Sequence, residues 1–226
     1  MLNELRQIGR NLTLLNRLVD VRAQNIANAS TSGYLAHRLA LSVGDTDAGG
    51  APTVRPYTSG EAGPVTADDQ PLHVALAPRS FLRVETPAGI RLSRAGDLSV
   101  DREGRLVDGE GAPVLAGGAP LLVGAGEITI QDNGTVLESG VPVGRLDLVE
   151  ADNPRPLGQR HFAEPDDVRP GGKLLATGAL TGANVDPLQE MVGLMRDGDL
   201  HRRLIQMTRM LEQVDQTAIE TFGRGV

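Results

Sequence analysis

Asn25-Ile26-Ala27-Asn28-Ala29-Ser30-Thr31-Ser32-Gly33-Tyr34 is the stretch that decides how this chain folds. Before it, residues 2–28 carry the spacing of one amphipathic helix. After it, as far as about residue 184, short apolar runs alternate with turn residues. The chain therefore leaves a helix here and turns away. Asn28 suits a helix end, because Asn tolerates the left-handed conformation and can cap carbonyls with its side chain. The hydroxyls of Ser30, Thr31 and Ser32 compete with helical bonding, and Gly33 admits positive φ at no steric cost. On local physics alone these residues make an ordinary helix-to-loop exit.

Around this pivot, 226 residues leave room for one sizeable domain, or one compact domain with extensions. Hydrophobic residues make up 40% but aromatics only 2%, so the core must be built from Val, Leu, Ile and Ala. The 28 Gly and 14 Pro favour many short strands over a helical bundle. A net charge of −7 leaves no basic footprint for nucleic acid. The absence of cysteine excludes disulfides, thiolate zinc sites and a cysteine nucleophile, and it suits a protein that crosses compartments unfolded. No run of about 18 apolar residues could span a membrane. The charged amphipathic N-terminus lacks the apolar segment of a cleaved secretory signal, so any exit from the cytoplasm takes another route.

In the first helix Leu5, Leu12, Val19 and Ile26 fall seven apart, Ile8 and Leu15 fill the intervening position, and Arg22 is the exception. So narrow a seam is a coiled-coil partner surface, or else the face of a helix lying on its own domain. Near the other end, Asp186-Pro187-Leu188-Gln189 is a helix start. Asp caps, Pro takes the first turn, and Gln three residues on can complete a capping box. That helix should stop at Gly223. It carries two seams: Leu188, Met191, Val192 and Met195, then Leu200, Leu204, Met207, Leu211, Val214 and Ala218. The offset between Met195 and Leu200 breaks the heptad across Arg196-Asp197-Gly198-Asp199.

Between the helices, residues 35–42 alternate as a strand, and Gly44 to Pro56 has a linker composition. From Pro64 to Phe162 strands of a few residues are separated by turns. Thr86-Pro87-Ala88-Gly89 is a hairpin turn, and Asp101-Arg102-Glu103-Gly104, Asp108-Gly109 and Asp132-Asn133-Gly134 are further turn signals. A compact antiparallel β domain follows. Residues 163–184, rich in Pro, Gly and Asp, suggest an extended return path.

Asn25, Ala27, Asn28, Thr31, Gly33, Tyr34 and Arg38 stand in the places of the N-terminal signature of the flagellar rod and hook family, which this stretch resembles. Thr181-Gly182-Ala183-Asn184-Val185-Asp186 is similar to the marker that precedes the C-terminal helix in that family. The middle of the chain is similar to the proximal- and distal-rod members nearly turn by turn. Phe81 to Gly89, Ser93-Arg94-Ala95-Gly96-Asp97, Asp101 to Gly109 and Pro113-Val114-Leu115 carry that likeness, as do Ile128-Thr129-Ile130 and Gly144 to Val149. The proximal-rod member is the nearest. The chain departs from the family at Gly198, Asp199, His201 and Arg202, where a Gln-Arg pair followed by an aromatic and Glu is usual.

Nothing in the sequence supports catalysis. His37, His73, His161 and His201 are scattered without metal-ligand spacing. Asp68-Asp69 and Asp166-Asp167 lie in Pro-containing loops, as solvated carboxylates do. Gly124-Ala125-Gly126 lacks the third Gly of a dinucleotide loop, and Gly171-Gly172-Lys173 is followed by Leu rather than Ser or Thr. No catalytic, cofactor or metal residue is assigned.

The fold expected is mixed α and β, with the terminal helices as a coiled-coil-like assembly domain and a central all-β domain rich in tight turns. The boundaries are 1–42 for the helix and signature, 43–63 for a linker, 64–165 for the β domain, 166–184 for the return and 185–226 for the C-terminal helix. The resemblance implies a structural subunit of the bacterial flagellar basal-body rod, exported unfolded to the periplasmic space through the flagellar (type III) apparatus. It implies partnership with other rod proteins and with copies of itself, without nucleic acid and without membrane insertion. The assembly signature would then be Asn25, Ala27, Asn28, Thr31, Gly33, Tyr34, Asn184, Val185 and Asp186. The polymerising seams would be Leu5, Ile8, Leu12, Leu15, Val19 and Ile26, with Leu200, Leu204, Met207, Leu211 and Val214. A distal-rod or hook-type subunit of the same family and a secreted β-rich adhesin stay open as alternatives at this level, although the chain is short for a distal rod.

Overall fold

A computed structural model describes residues 2–42, 53–158 and 160–223. Two long helices flank a β-rich middle: α1 spans Leu2–Ala27 and α2 spans Pro187–Gly223. The chain divides into two compact units. The helical unit takes Met1–Ile26, Leu41–Val54 and Asp186–Val226, and the β unit takes Ala27–Ala40 and Arg55–Val185.

α2 begins where its cap predicts. The Asp186 carboxylate accepts from the Leu188 and Gln189 amides at 3.0 and 3.1 Å, satisfying donors that the first turn leaves free. The helix runs unbroken through Gly198, because one Gly costs only about 1 kcal/mol relative to Ala. α1 ends differently from expectation. Asn28 is not among the residues with positive φ. Instead its carbonyl accepts from the Thr31 amide at 3.0 Å, and Thr31 in turn accepts from Tyr34 at 3.2 Å. Two successive turns therefore lead the chain out, and the left-handed residue is Gly33, with φ of 70°.

In the β unit the largest sheet has five antiparallel strands in the order His161–Ala163, Gly89–Ser93, Ser80–Thr86, Leu148–Glu150 and Arg169–Pro170. Thr86 pairs with Gly89 across the two-residue loop read from the sequence. Ile128–Ile130, Thr135–Glu138 and Val141–Arg145 form a three-stranded meander. One core gathers Val74, Leu76, Leu82, Val84, Val114 and Val136, aliphatic as the composition requires. A second, smaller cluster holds Phe81 and Phe162, whose rings meet edge to face at 5.3 Å.

Two stretches expected to be irregular are paired. Thr53–Thr58, inside the expected linker, forms a ribbon with His37–Ser42; residues 43–52 lie outside the described residues. Its Pro56 is tolerated because both strands of a two-stranded ribbon are edges. Within the expected return path, Leu174–Thr177 pairs with Val74–Leu76 and Ala179–Thr181 with Val65–Ala67. Partners about a hundred residues away in sequence, rather than local propensity, make these strands.

Arg94 lies at the edge of the smaller core, only 2% exposed. Its Nη1 donates to the Ala77 and Ser80 carbonyls at 3.0 and 2.9 Å, and its guanidinium stacks over Phe81 at 5.5 Å. Burial pulls its pKa down to about 10. Stacking of this kind contributes roughly 1–2 kcal/mol, less than the several kcal/mol that desolvating an unpaired ion costs.

Gly33 is irreplaceable for two reasons at once. Its φ is left-handed, and a Cβ there would sit 2.0 Å from the Arg94 carbonyl oxygen. Gly33→Ala should therefore destabilise the β unit by at least about 2 kcal/mol, measured by urea unfolding. Wild-type stability in this variant would mean that the two backbones do not approach.

Candidate assembly site

The two signature segments meet inside the β unit. Asn184 is their staple. Its Oδ1 accepts from the Ala36 amide at 2.5 Å, and its own amide donates to the Tyr34 carbonyl at 3.3 Å. Its Nδ2 donates to the carbonyls of Ser59 and Glu61 at 3.3 and 2.8 Å. The Gly33 amide donates to the Thr181 carbonyl at 2.7 Å, so the end of the first signature is stitched to the second. Tyr34 is fully buried, with its ring 5.5 Å from His37. Asn28 is buried and its Oδ1 accepts from the Thr31 hydroxyl at 3.4 Å; Val185 is half-buried and Ala27 is exposed.

Beside the first signature lies a charged cluster that sequence spacing could not assemble. Ser32 donates to Asp97 at 3.2 Å, and Arg160 bonds Asp97 at 2.6 Å and Ser32 at 3.3 Å. His161 faces Asp108 through Nε2 at 2.7 Å and Glu110 through Nδ1 at 3.3 Å. Ser93 also donates to Asp108, at 2.7 Å. Burial opposes the charge of Asp108, but bonds from His161, Ser93 and the Ala112 amide outweigh it and hold its pKa below the usual carboxylate range. The bond to Asp108 lifts the His161 pKa above its ordinary value against the opposing effect of burial. Among the described residues no three such side chains are arranged to hold a metal ion. A concavity of about 880 Å³ is lined by glycine, proline and aliphatic side chains with Arg145 and Asp147. The Asp147 carboxylate is taken by the Gly117 and Gly118 amides at 2.9 and 2.7 Å.

In the helical unit, Arg22 explains its place in the heptad. Ile8 and Leu15 are buried, and Arg22 continues their line by seven. It donates to Glu190 at 2.9 Å and to Asp197 at 2.7 Å, while Asn25, fully buried, donates to Glu190 at 3.2 Å. The last turns of α1 thus lie against the first turns of α2. Gly193 makes this possible, since a Cβ there would fall 2.3 Å from Arg22 Nη1. Leu12, Val19 and Ile26 are half-buried, and the side chain of Leu5 lies outside the described part.

On α2 the apolar residues face elsewhere. Leu188, Met191, Val192 and Met195 are exposed, Leu188 and Met195 by 70% and 72%. At 3.6 residues per turn they lie roughly 180° around the helix from Glu190, Gly193 and Asp197. Leu200, Met207, Met210 and Val214 are also exposed, on a flank roughly a quarter turn from that line. Leu204 is half-buried and falls on the Glu190–Asp197 line itself; the side chain of Leu211 is outside the described part.

Two outcomes check these arrangements. Gly198 has open space at its Cβ, so Gly198→Ala should stabilise the helical unit by about 1 kcal/mol, as helix propensity dictates. Gly193→Ala should reverse that sign, because the methyl displaces Arg22 and leaves Glu190, almost fully buried, without its cation. Thermal unfolding of the pair decides, and equal stabilisation by both would remove the clamp. For the charged cluster, His161 contributes stability that is complete below its unfolded pKa of 6.5 and is lost as pH rises through the raised folded value. Asp108 contributes above 3.8 and loses its contribution as pH falls through the lowered folded value. The stability difference between wild type and His161→Gln should therefore be largest between pH 3.8 and 6.5 and shrink above that window. A difference independent of pH would show that the imidazole carries no charge here.

No protein-family model matches the chain. Individual relatives do. The chain is 27% identical over 236 residues to the flagellar basal-body rod protein FlgF of Caulobacter vibrioides, covering 96% of both proteins. It is 31% identical over 225 residues to that of Escherichia coli, covering 88% of both, and 30% identical over 224 residues to that of Salmonella typhimurium, covering 87% of both. With identity at this level along nearly the whole length, and with both signature segments joined in the β unit, the chain belongs to the FlgF family of flagellar basal-body rod proteins.

Proposed function

We propose that this protein is a structural subunit of the flagellar basal-body rod and that it polymerises through its terminal helices. The observation that supports this reading best is the uncovered apolar surface of α2. Leu188, Met191, Val192 and Met195 face away from the clamp to α1, and Leu200, Met207, Met210 and Val214 continue as an exposed flank. Large aliphatic side chains at helical spacing, left in water by the monomer, suit burial against neighbouring helices. Many such contacts repeated along a shaft give stiffness that no single contact has. A contact between unlike surfaces that does not close on itself propagates as a helical filament.

The neighbours in this reading are further copies of the chain and other rod proteins. The seam of α1 and the coiled-coil geometry belong to the same proposal. Passage through the flagellar export apparatus in an unfolded state fits a chain without cysteine. No helix among the described residues is long and apolar enough to cross a membrane, in keeping with a subunit held by other subunits.

Met195→Asp with Met210→Asp tests the proposal. Both side chains are exposed in the monomer, so its stability should change by no more than about 0.5 kcal/mol. Incorporation into basal bodies and motility should both be lost, because each carboxylate would have to be desolvated on assembly. A monomer unfolded by the methionine changes, or a working rod built from it, would overturn the assignment of this face.

A further inference from the structure

Within the β unit, Arg94 is an ion without a counter-ion. Among the described residues no carboxylate lies within salt-bridge distance of it, and its buried Nε and Nη2 find no acceptor. Beside it is a cavity of about 130 Å³, room for several waters or one small ion. Leu35, Thr58, Arg79, Phe81, Arg94 and Asn153 contribute to its lining. Asp152 also lines the cavity, but its carboxylate is held by Arg79 at 2.9 Å and by Arg169 at 2.8 Å. The one carboxylate on the cavity wall is thus already paired with two other guanidinium groups, and Arg94 is left without one. Arg79 adopts a positive φ of 60°, which is uncommon for a long side chain, and Asn153 one of 48°, which Asn tolerates.

We propose that this cavity binds a small oxyanion of the carboxylate or phosphate class, with Arg94 as its principal charge. Anion binding would supply what the fold withholds from Arg94, namely a partner for a desolvated cation. The guanidinium on the cavity wall suits either oxyanion class by its charge; Nε and Nη2, closed to water as they stand, turn toward the cavity to bond the bound oxygens. The site is separate from the helix faces assigned to assembly and does not depend on them.

The test uses the full-length chain, with sodium acetate and inorganic phosphate as probes and sodium chloride holding ionic strength constant. The Nε–H resonance of Arg94, assigned through its own side chain, should move saturably with at least one probe. With the probe at about ten times its Kd, the unfolding equilibrium constant should fall about tenfold. Response to acetate alone would assign the site to carboxylates, and response to phosphate alone to phosphate groups; either supports a built anion site. In Arg94→Gln the saturable part should vanish, leaving only the general stabilisation that excluded salts give any protein. If that variant does not fold, the resonance in the wild type still decides. An Arg94 Nε–H that neither probe shifts, into the tens of millimolar, would overturn the proposal and leave the cavity to water.

Discussion

The β unit depends on one side chain that holds its two ends together. Asn184 binds the backbone at Tyr34, Ala36, Ser59 and Glu61, using both faces of its amide and its own main chain. Four hydrogen bonds at a net of about 1 kcal/mol each are not large beside the conformational entropy of the unit. Their importance is positional. They fix three strands of chain that no local turn could bring together, and Gly33 can approach the Arg94 carbonyl only because those strands are in place. An Asp of the same length would lack the two N–H donors, and a longer Gln would misplace the amide, so neither could make the three side-chain bonds at these distances.

In the helical unit the register is set by charge rather than by apolar packing. A buried ion pair is weak evidence for stability, because desolvation offsets most of the attraction. Its strength is discrimination. Sliding α2 by one turn would leave Glu190, 4% exposed at its side chain, facing something other than Arg22. Gly193 belongs to the same device, since a Cβ there would fall on the Arg22 guanidinium. Register fixed by polar groups inside the pair leaves the aliphatic side chains of α2 available for surfaces outside it.

Much of this was legible in the residues, and the boundary of legibility is physical. The Asp186 cap, the Thr86–Gly89 turn and the left-handed Gly33 are decided within a few residues, and each appears where local chemistry puts it. The identity of both signature segments was readable as a pattern, but not that Asn184 would be their joint. Strand formation in Leu174–Thr177 and Ala179–Thr181 is imposed by partners at Val74–Leu76 and Val65–Ala67, so composition alone suggested loop. Arg22 looked like a flaw in a heptad because its two acids lie 168 and 175 residues away. The cluster of Ser32, Asp97, Asp108, Arg160 and His161 was invisible for the same reason: its members come from four separate stretches of chain. The apolar spacing of α2 was visible as well, but only the clamp reveals that Leu204 shares a line with Glu190 and Asp197 while Met195 does not.

The pairing of Val65–Ala67 with Ala179–Thr181, and of Gly33 with Thr181, carries a kinetic consequence. These contacts join residues more than a hundred positions apart, and the first of them to be synthesised waits for the last. A chain that emerges progressively from a ribosome or a narrow conduit can form its hairpins early. It cannot close the unit until Asn184 has also emerged. High contact order slows folding, and here it does so by a requirement for completeness. The same topology that makes the finished unit hard to open keeps the unfinished chain open, which is the state in which a polypeptide can be threaded.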